Sequence, residues 1–275
     1  MEAAEYQRMA DAEERHFWFR GSRTVIFTWL DVALADLAAG TASPPITLLD
    51  VGAGTGGTLA AIASRFNGLS ASGVEISPIA LALARQRGAD VTAGALPDLP
   101  VHSHSVDIAL ALDVFEHVED DIAAMRDVRR VLRPGGRLIA TVPALAWLWS
   151  EHDVALHHYR RYDRNLLVER LRMAGFVVRR VSYYNAALLA PIAAVRLAAR
   201  LRRGPARAAR SDLAPLPAWI NEPLAALFGA ERFVLARMAL PLGASLIVDA
   251  VQEPPPEFSP AADSGCKSRR KEASD

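Results

Sequence analysis

Leu48-Leu49-Asp50-Val51-Gly52-Ala53-Gly54-Thr55-Gly56-Gly57 carries an apolar run into a glycine-rich turn. Gly52, Gly54 and Gly57 satisfy the G-x-G-x-x-G spacing of a dinucleotide loop, so a nicotinamide cofactor is one reading. Asp50 argues for another. A carboxylate just before the loop repels a pyrophosphate, but suits a ligand whose charges are an ammonium and a sulfonium, as in S-adenosyl-L-methionine. The glycines serve either ligand, because backbone must approach it closely. Glu75 ends the next apolar run, where an acid accepts both ribose hydroxyls.

Further along, Asp113-Val114-Phe115-Glu116-His117 follows a third apolar run. His117 lies one helical turn beyond Asp113, which could return its ring to the same pocket as a general base or substrate contact. The alternative is a histidine that bonds backbone and shapes the loop. Ser150–Asp153 and His157–Tyr162 form the densest polar cluster. There His152 is the first candidate for a base, with Asp153 as its orienter. His157, Arg160, Arg161 and Tyr162 are candidate acceptor contacts, the paired arginines clamping a carboxylate or phosphate. The alternative is a solvated loop whose arginines pair with nearby acids. The spacing of these histidines matches no metal motif, and no metal is expected. Phe17, Trp18, Phe19 and Arg20 form an aromatic–basic knot that either covers the cofactor, with Trp18 against the substrate, or simply packs a helical hairpin.

Short apolar runs alternating with helical segments must position these groups. Strands are expected at Ile46–Val51, Ser70–Glu75, Val91–Ala93, Val106–Leu112, Arg137–Val142, Phe176–Tyr183 and Ser245–Val251. Helices fall at Thr58–Arg65, Ile79–Arg87, Asp121–Leu132 and from the Asp163 cap to Ala174, with Arg133-Pro134-Gly135-Gly136 as a stop. Such alternation means a mostly parallel sheet covered on both faces. Residues 1–45 read as an N-terminal helical segment closed by the linker Gly40–Pro45, residues 46–252 as one α/β domain with a helical insertion at about 185–240, and residues 253–275 as a disordered tail.

Four segments in this order resemble the class I S-adenosylmethionine-dependent methyltransferases: LLDVGAGTGG at 48–57, GVEIS at 73–77, SVDIALALDVFEHVED at 105–120 and RVLRPGGRLIATVP at 130–143. HFWFRGSR at 16–23 and LWSEHDVALHHYRRY at 148–162 narrow the resemblance to the bacterial methyltransferase type 11 group. The resemblance implies a Rossmann-like doubly wound seven-stranded sheet, with an N-terminal helical lid and a helical insertion before the last strand. It also implies that Asp50, Gly52, Ala53, Gly54 and Gly56 line the methionine side of S-adenosyl-L-methionine. Glu75 would hold the ribose, Ile76 the adenine, Ala95-Leu96 the adenine edge, and Asp113 with Val114 the methionyl part. Many relatives place an acid at the adenine edge. This chain has Ala93-Gly94-Ala95, so either Asp98 substitutes or backbone groups read the adenine.

Charge and composition bound the acceptor. Lys+Arg and Asp+Glu each number 31, which disfavours a nucleic-acid partner. A lone Cys266 excludes an internal disulfide framework. An acidic start without an apolar centre, and no apolar run of spanning length, suggest a cytoplasmic protein. Within 186–203, leucines and valines interspersed with Arg196, Arg200, Arg202 and Arg203 suggest a basic amphipathic helix able to make a peripheral membrane contact. The expected acceptor is a small-molecule or lipid-linked metabolite, methylated on oxygen. An NAD-dependent oxidoreductase and a non-catalytic S-adenosylmethionine-binding scaffold are the competing readings.

Overall fold

A computed structural model describes residues 3–40, 45–201 and 216–253. The seven expected strands are β1 (Ile46–Val51), β2 (Leu69–Glu75), β3 (Val91–Ala93), β4 (Val106–Leu112), β5 (Leu132–Pro143), β6 (Phe176–Tyr184) and β7 (Ser245–Gln252). They lie in the order β3-β2-β1-β4-β5-β7-β6, parallel except for β7, which runs antiparallel to both neighbours. β5 begins earlier than expected. Leu132 already pairs with Val106, and Arg133–Gly136 form an irregularity inside the strand rather than a stop before it.

Side chains alternate across the sheet with period two, and each face has its own core. Leu49, Val51, Ala109, Ala111, Leu138 and Ala140 face helices α5 (Asp121–Val131) and α7 (Arg164–Met173). Leu48, Ile108, Leu110 and Ile139 face the other way. There they meet α2 (Phe17–Ala39), α3 (Gly57–Arg65), α4 (Pro78–Gln86) and α9 (Ala218–Leu235). Three further helices lie outside these layers: α1 (Ala3–Ala12), α6 (Glu151–Ala155) and α8 (Leu189–Leu201). The strand order reverses between β1 and β4, which opens a crevice at their carboxyl ends. The tail 254–275, with Cys266, lies outside the described residues, as do the linker residues 41–44 and the 202–215 part of the insertion.

The insertion packs as a layer. α9 lies along α2, and the aromatic knot serves that contact: the rings of Trp18 and Phe228 lie 5.7 Å apart, and Arg20 pairs with Glu222 at 2.5 Å. Gly21 permits the approach, since a Cβ there would fall 2.5 Å from the Phe228 ring. Gly21→Val should therefore prise α9 from α2 and lower stability by about 1–3 kcal/mol, read as a drop in the urea midpoint at unchanged slope.

Candidate active site at the β1–β4 crevice

The glycine loop leaves β1 with Gly52, Gly54 and Gly56 all at positive φ, between +55° and +82°. Gly52 and Ala53 donate to the Val74 carbonyl at 2.8 and 3.0 Å, which ties the loop to β2. A Cβ on Gly52 would sit 2.8 Å from Val114, so the loops after β1 and β4 touch. Glu75 braces the turn from below: one carboxylate oxygen accepts from Gly54 N–H at 2.8 Å and the other from Ser77 N–H at 2.7 Å. Ile76, beside it, is 72% exposed. Ala95 and Leu96 are half-buried. Asp98 is exposed, and its N–H donates to the Asp127 carboxylate at 2.7 Å.

Acids crowd this end of the crevice. Asp50 is buried, and its carboxyl is pushed up to about 8, by burial first and then by the charges of Glu13 and Glu75. Glu13, just past α1, was not among the expected site residues. It accepts from the Thr55 hydroxyl at 2.5 Å and from Arg87, and Gly57 has no room for a Cβ beside it. Met9 of α1 lies over Gly54. α1 thus covers the loop, whereas Trp18 packs on α9. No spacing rule announces Glu13, because its partners lie 42 and 74 residues away.

The other end of the crevice is built after β4. Asp113, at φ 54°, donates its N–H to Thr141, and burial raises its carboxyl despite a bond from the Thr141 hydroxyl. Phe115–His117 forms a single 3-10 turn. Glu116 is completely buried, among the described residues no other residue bonds either of its oxygens, and burial followed by the Asp113 charge pushes its pKa well above the usual range. His117 keeps an exposed edge, but burial of the rest of its ring, then the neighbouring His158, pulls it down to about 4. The rings of His117 and His158 meet edge to face at 4.6 Å.

The block at 150–162 is no open anion clamp: its arginines pair with acids, as in the alternative considered from the sequence, but those acids are buried rather than solvated. Ser150 starts α6 with a capping box that includes Asp153. Asp153 is fully buried and its carboxylate accepts from His158 Nδ1 at 3.1 Å and Arg161 Nε at 2.7 Å, as well as from Ser150 N–H at 2.8 Å. Burial alone would raise its pKa, but the bonds from His158 and Arg161 outweigh that and hold it well below the carboxylate range. Asp153 therefore orients His158, where the sequence offered it to His152. His152 is half-buried on α6 and His157 is exposed. Arg161 also donates to the Ala144 carbonyl at 2.9 Å. Arg160 bonds the Val118 and Glu119 carbonyls and lies 3.0 Å from Asp121, which also accepts from the buried Tyr162 hydroxyl at 2.8 Å. Both arginines and Tyr162 thus hold buried acids and backbone in place. They present no open clamp to an acceptor.

A strand-order reversal flanked by an acid-rich glycine loop and a separate polar end is where open α/β sheets of the Rossmann-like class take nucleotide-type cofactors. Residues 49–140 match the family model described as a methyltransferase domain. A Mycolicibacterium smegmatis protein named "Probable S-adenosylmethionine-dependent methyltransferase" is 31% identical over 170 residues, 60% of this chain and 61% of its own. An O-methyltransferase of Pyrenophora dematioidea is 38% identical over 104 residues, 35% of this chain and 39% of its own. The chain spans about three fifths of the length of the first of these relatives. In fold it resembles a chain from the complex between the Haloferax volcanii Trm112 methyltransferase activator and a protein assigned to the methyltransferases. That likeness has a TM-score of 0.55 and 21% identity, and covers 92% of this chain and 95% of that one. Residues 49–140 are therefore a methyltransferase domain by their family match, and the likeness to an S-adenosylmethionine-dependent methyltransferase runs over 170 residues.

Asp50 makes a pH signature. The folded state keeps a proton to about pH 8 that the unfolded state loses near 3.9, so stability from this group falls as pH rises between those values. In Asp50→Asn that contribution disappears. The loss of melting temperature between pH 5 and pH 8.5 should be smaller in the variant than in the wild type, measured by thermal unfolding.

Proposed function

We propose that the protein transfers the methyl group of S-adenosyl-L-methionine to a hydroxyl of a small-molecule or lipid-linked acceptor. The observation that carries this reading is the cluster of acids about the glycine loop: Glu75 and Glu13 oppose a pyrophosphate, and a bound sulfonium and ammonium would favour the ionised form of the buried Asp50 beside them. Glu75 would take the ribose hydroxyls, Ile76 with Ala95 and Leu96 the adenine, and Gly52–Gly56 with Asp113 and Val114 the methionyl part. The acceptor oxygen would attack the methyl carbon in line with the C–S bond. The bonding pair returns to sulfur and leaves S-adenosylhomocysteine, while the hydroxyl proton is taken up at the polar end formed by Asp113, Glu116, His117 and His158. Positioning and water exclusion do most of this work, since the methyl is already activated.

A lipid-linked acceptor, or a peripheral membrane contact, is supported by exposed apolar side chains on the insertion: Val195 and Leu197 on α8, Trp219 and Phe233 on α9. Arg196 turns inward to the Leu148 carbonyl and Asp153, so α8 is less basic on its outer face than its sequence suggests. No helix among the described residues is long and apolar enough to cross a membrane.

Calorimetric titration with S-adenosylmethionine and with NAD separates the readings. Binding of NAD alone would overturn the methyl-transfer reading. Glu75→Ala should lose about ten- to hundredfold in S-adenosylmethionine affinity, and Glu75→Gln less, because a charge-assisted bond is worth about 1.5–3 kcal/mol. With a turned-over acceptor in hand, His158→Ala should keep cofactor affinity and slow methyl transfer by roughly 10²–10⁴-fold. A product free of S-adenosylhomocysteine in wild-type assays, despite cofactor binding, would favour the scaffold.

A further inference from the structure

Among the described residues, Glu116, His117 and His158 each present one ligand atom, and these atoms lie within 4.8 Å of one another. Two imidazoles and a carboxylate at that separation are a donor set for a divalent transition-metal ion, needing only small side-chain movements to reach bonding distance. An independent observation points the same way. Glu116 is completely buried, and among the described residues no other residue bonds either of its oxygens. A carboxylate so placed is destabilising unless a proton or a cation meets it, and the buried Asp121 and Asp153 are each met by arginines. No arginine bonds Glu116. The nearby Arg161 is engaged by Asp153 and the Ala144 carbonyl.

The surroundings of the two rings fit ligands better than they fit packing histidines. His158 Nδ1 bonds Asp153, which holds that ring in place and leaves its other nitrogen with a lone pair. Asp153 is itself fixed by Arg161 and by Ser150 at the start of α6. Carboxylates or carbonyls behind metal-binding imidazoles fix the tautomer and ring orientation in this way. The exposed edge of His117 gives an ion a path from solvent.

We propose that Glu116, His117 and His158 bind a divalent transition-metal cation of the zinc type at the acceptor end of the crevice. Three protein ligands leave coordination positions open, as catalytic rather than structural sites do. The role rests on the methyl-transfer reading and replaces direct proton uptake by these side chains: an acceptor hydroxyl bound at an open position would lose its proton to solvent more readily and attack the methyl carbon as an alkoxide. Asp113, on the same loop, adds a negative charge that favours the cation.

Zinc is the probe. Protein stripped with a chelator, dialysed against Zn²⁺ and then against metal-free buffer should retain about one equivalent per chain by mass spectrometry, and should melt at higher temperature with Zn²⁺ than without. Glu116→Gln and His158→Ala should each weaken zinc binding by at least tenfold and abolish the zinc-dependent rise in melting temperature. Glu116→Gln replaces an unpartnered buried carboxyl with a neutral group of the same shape. Its metal-free form should melt at least as high as the wild type, which keeps the comparison sound if His158→Ala folds poorly. No retained zinc in the wild type, or equal retention in Glu116→Gln, overturns the site. S-adenosylmethionine is titrated into the same samples. Cofactor binding without zinc retention defeats the metal site alone, whereas zinc retention without cofactor binding defeats the methyl-transfer role and leaves the site standing.

Discussion

Carboxylates enter a protein interior only where a donor or a cation meets them, and that constraint organises much of this molecule. Asp153 is met by His158, Arg161 and the first turn of α6. Asp121, at the start of α5, is met by Arg160, Tyr162 and Arg170. Together these two acids pin the segment from 150 to 162 against the loop after β4, although the residues involved come from different crossovers. Removing one partner from either network would leave a buried charge with fewer donors than its desolvation requires. Such networks are therefore specific in geometry.

The sheet decides where the remaining acids act. Because the strand order reverses between β1 and β4, their carboxyl ends diverge and the two following loops face one crevice. Asp50, Glu75 and Glu13 gather at the β1 side, and Asp113 with Glu116 at the β4 side. Gly52 against Val114 joins the two ends at van der Waals distance. A cationic cofactor on one side and a polar acceptor end on the other are thus neighbours by topology, and the chemistry needs no long-range movement to bring them together.

The additions to the α/β core follow simpler packing rules. α9 reaches α2 because Gly21 leaves room for Phe228, and α1 lies on the glycine loop because Glu13 finds Thr55 and Arg87 there. Arg137 and Asp249, paired across β5 and β7, place the one antiparallel strand by the same means.

Strand periodicity, glycine spacing and helix caps are local signals, and they were legible along the chain. The seven strands, the Asp163 cap, the turn at Gly52–Gly56 and the placement of Asp50 and Glu75 all depend on residues close in sequence. Hydrophobic alternation needs only the pleat of one strand, and a tight turn needs only its own glycines. Partnerships were not legible. Asp153 is one residue from His152 and five from His158, yet the curl of α6 and the turn after it bring the more distant ring to its carboxylate. Glu116 and His158 lie 42 positions apart, on loops that only the sheet brings together, and Glu13 meets Arg87 across 74. The sequence by itself determined the elements and the cofactor loop, because local sterics and burial decide those. Which acid meets which base was decided only by tertiary structure, because the desolvation that makes such a pair necessary arises when distant segments close over it.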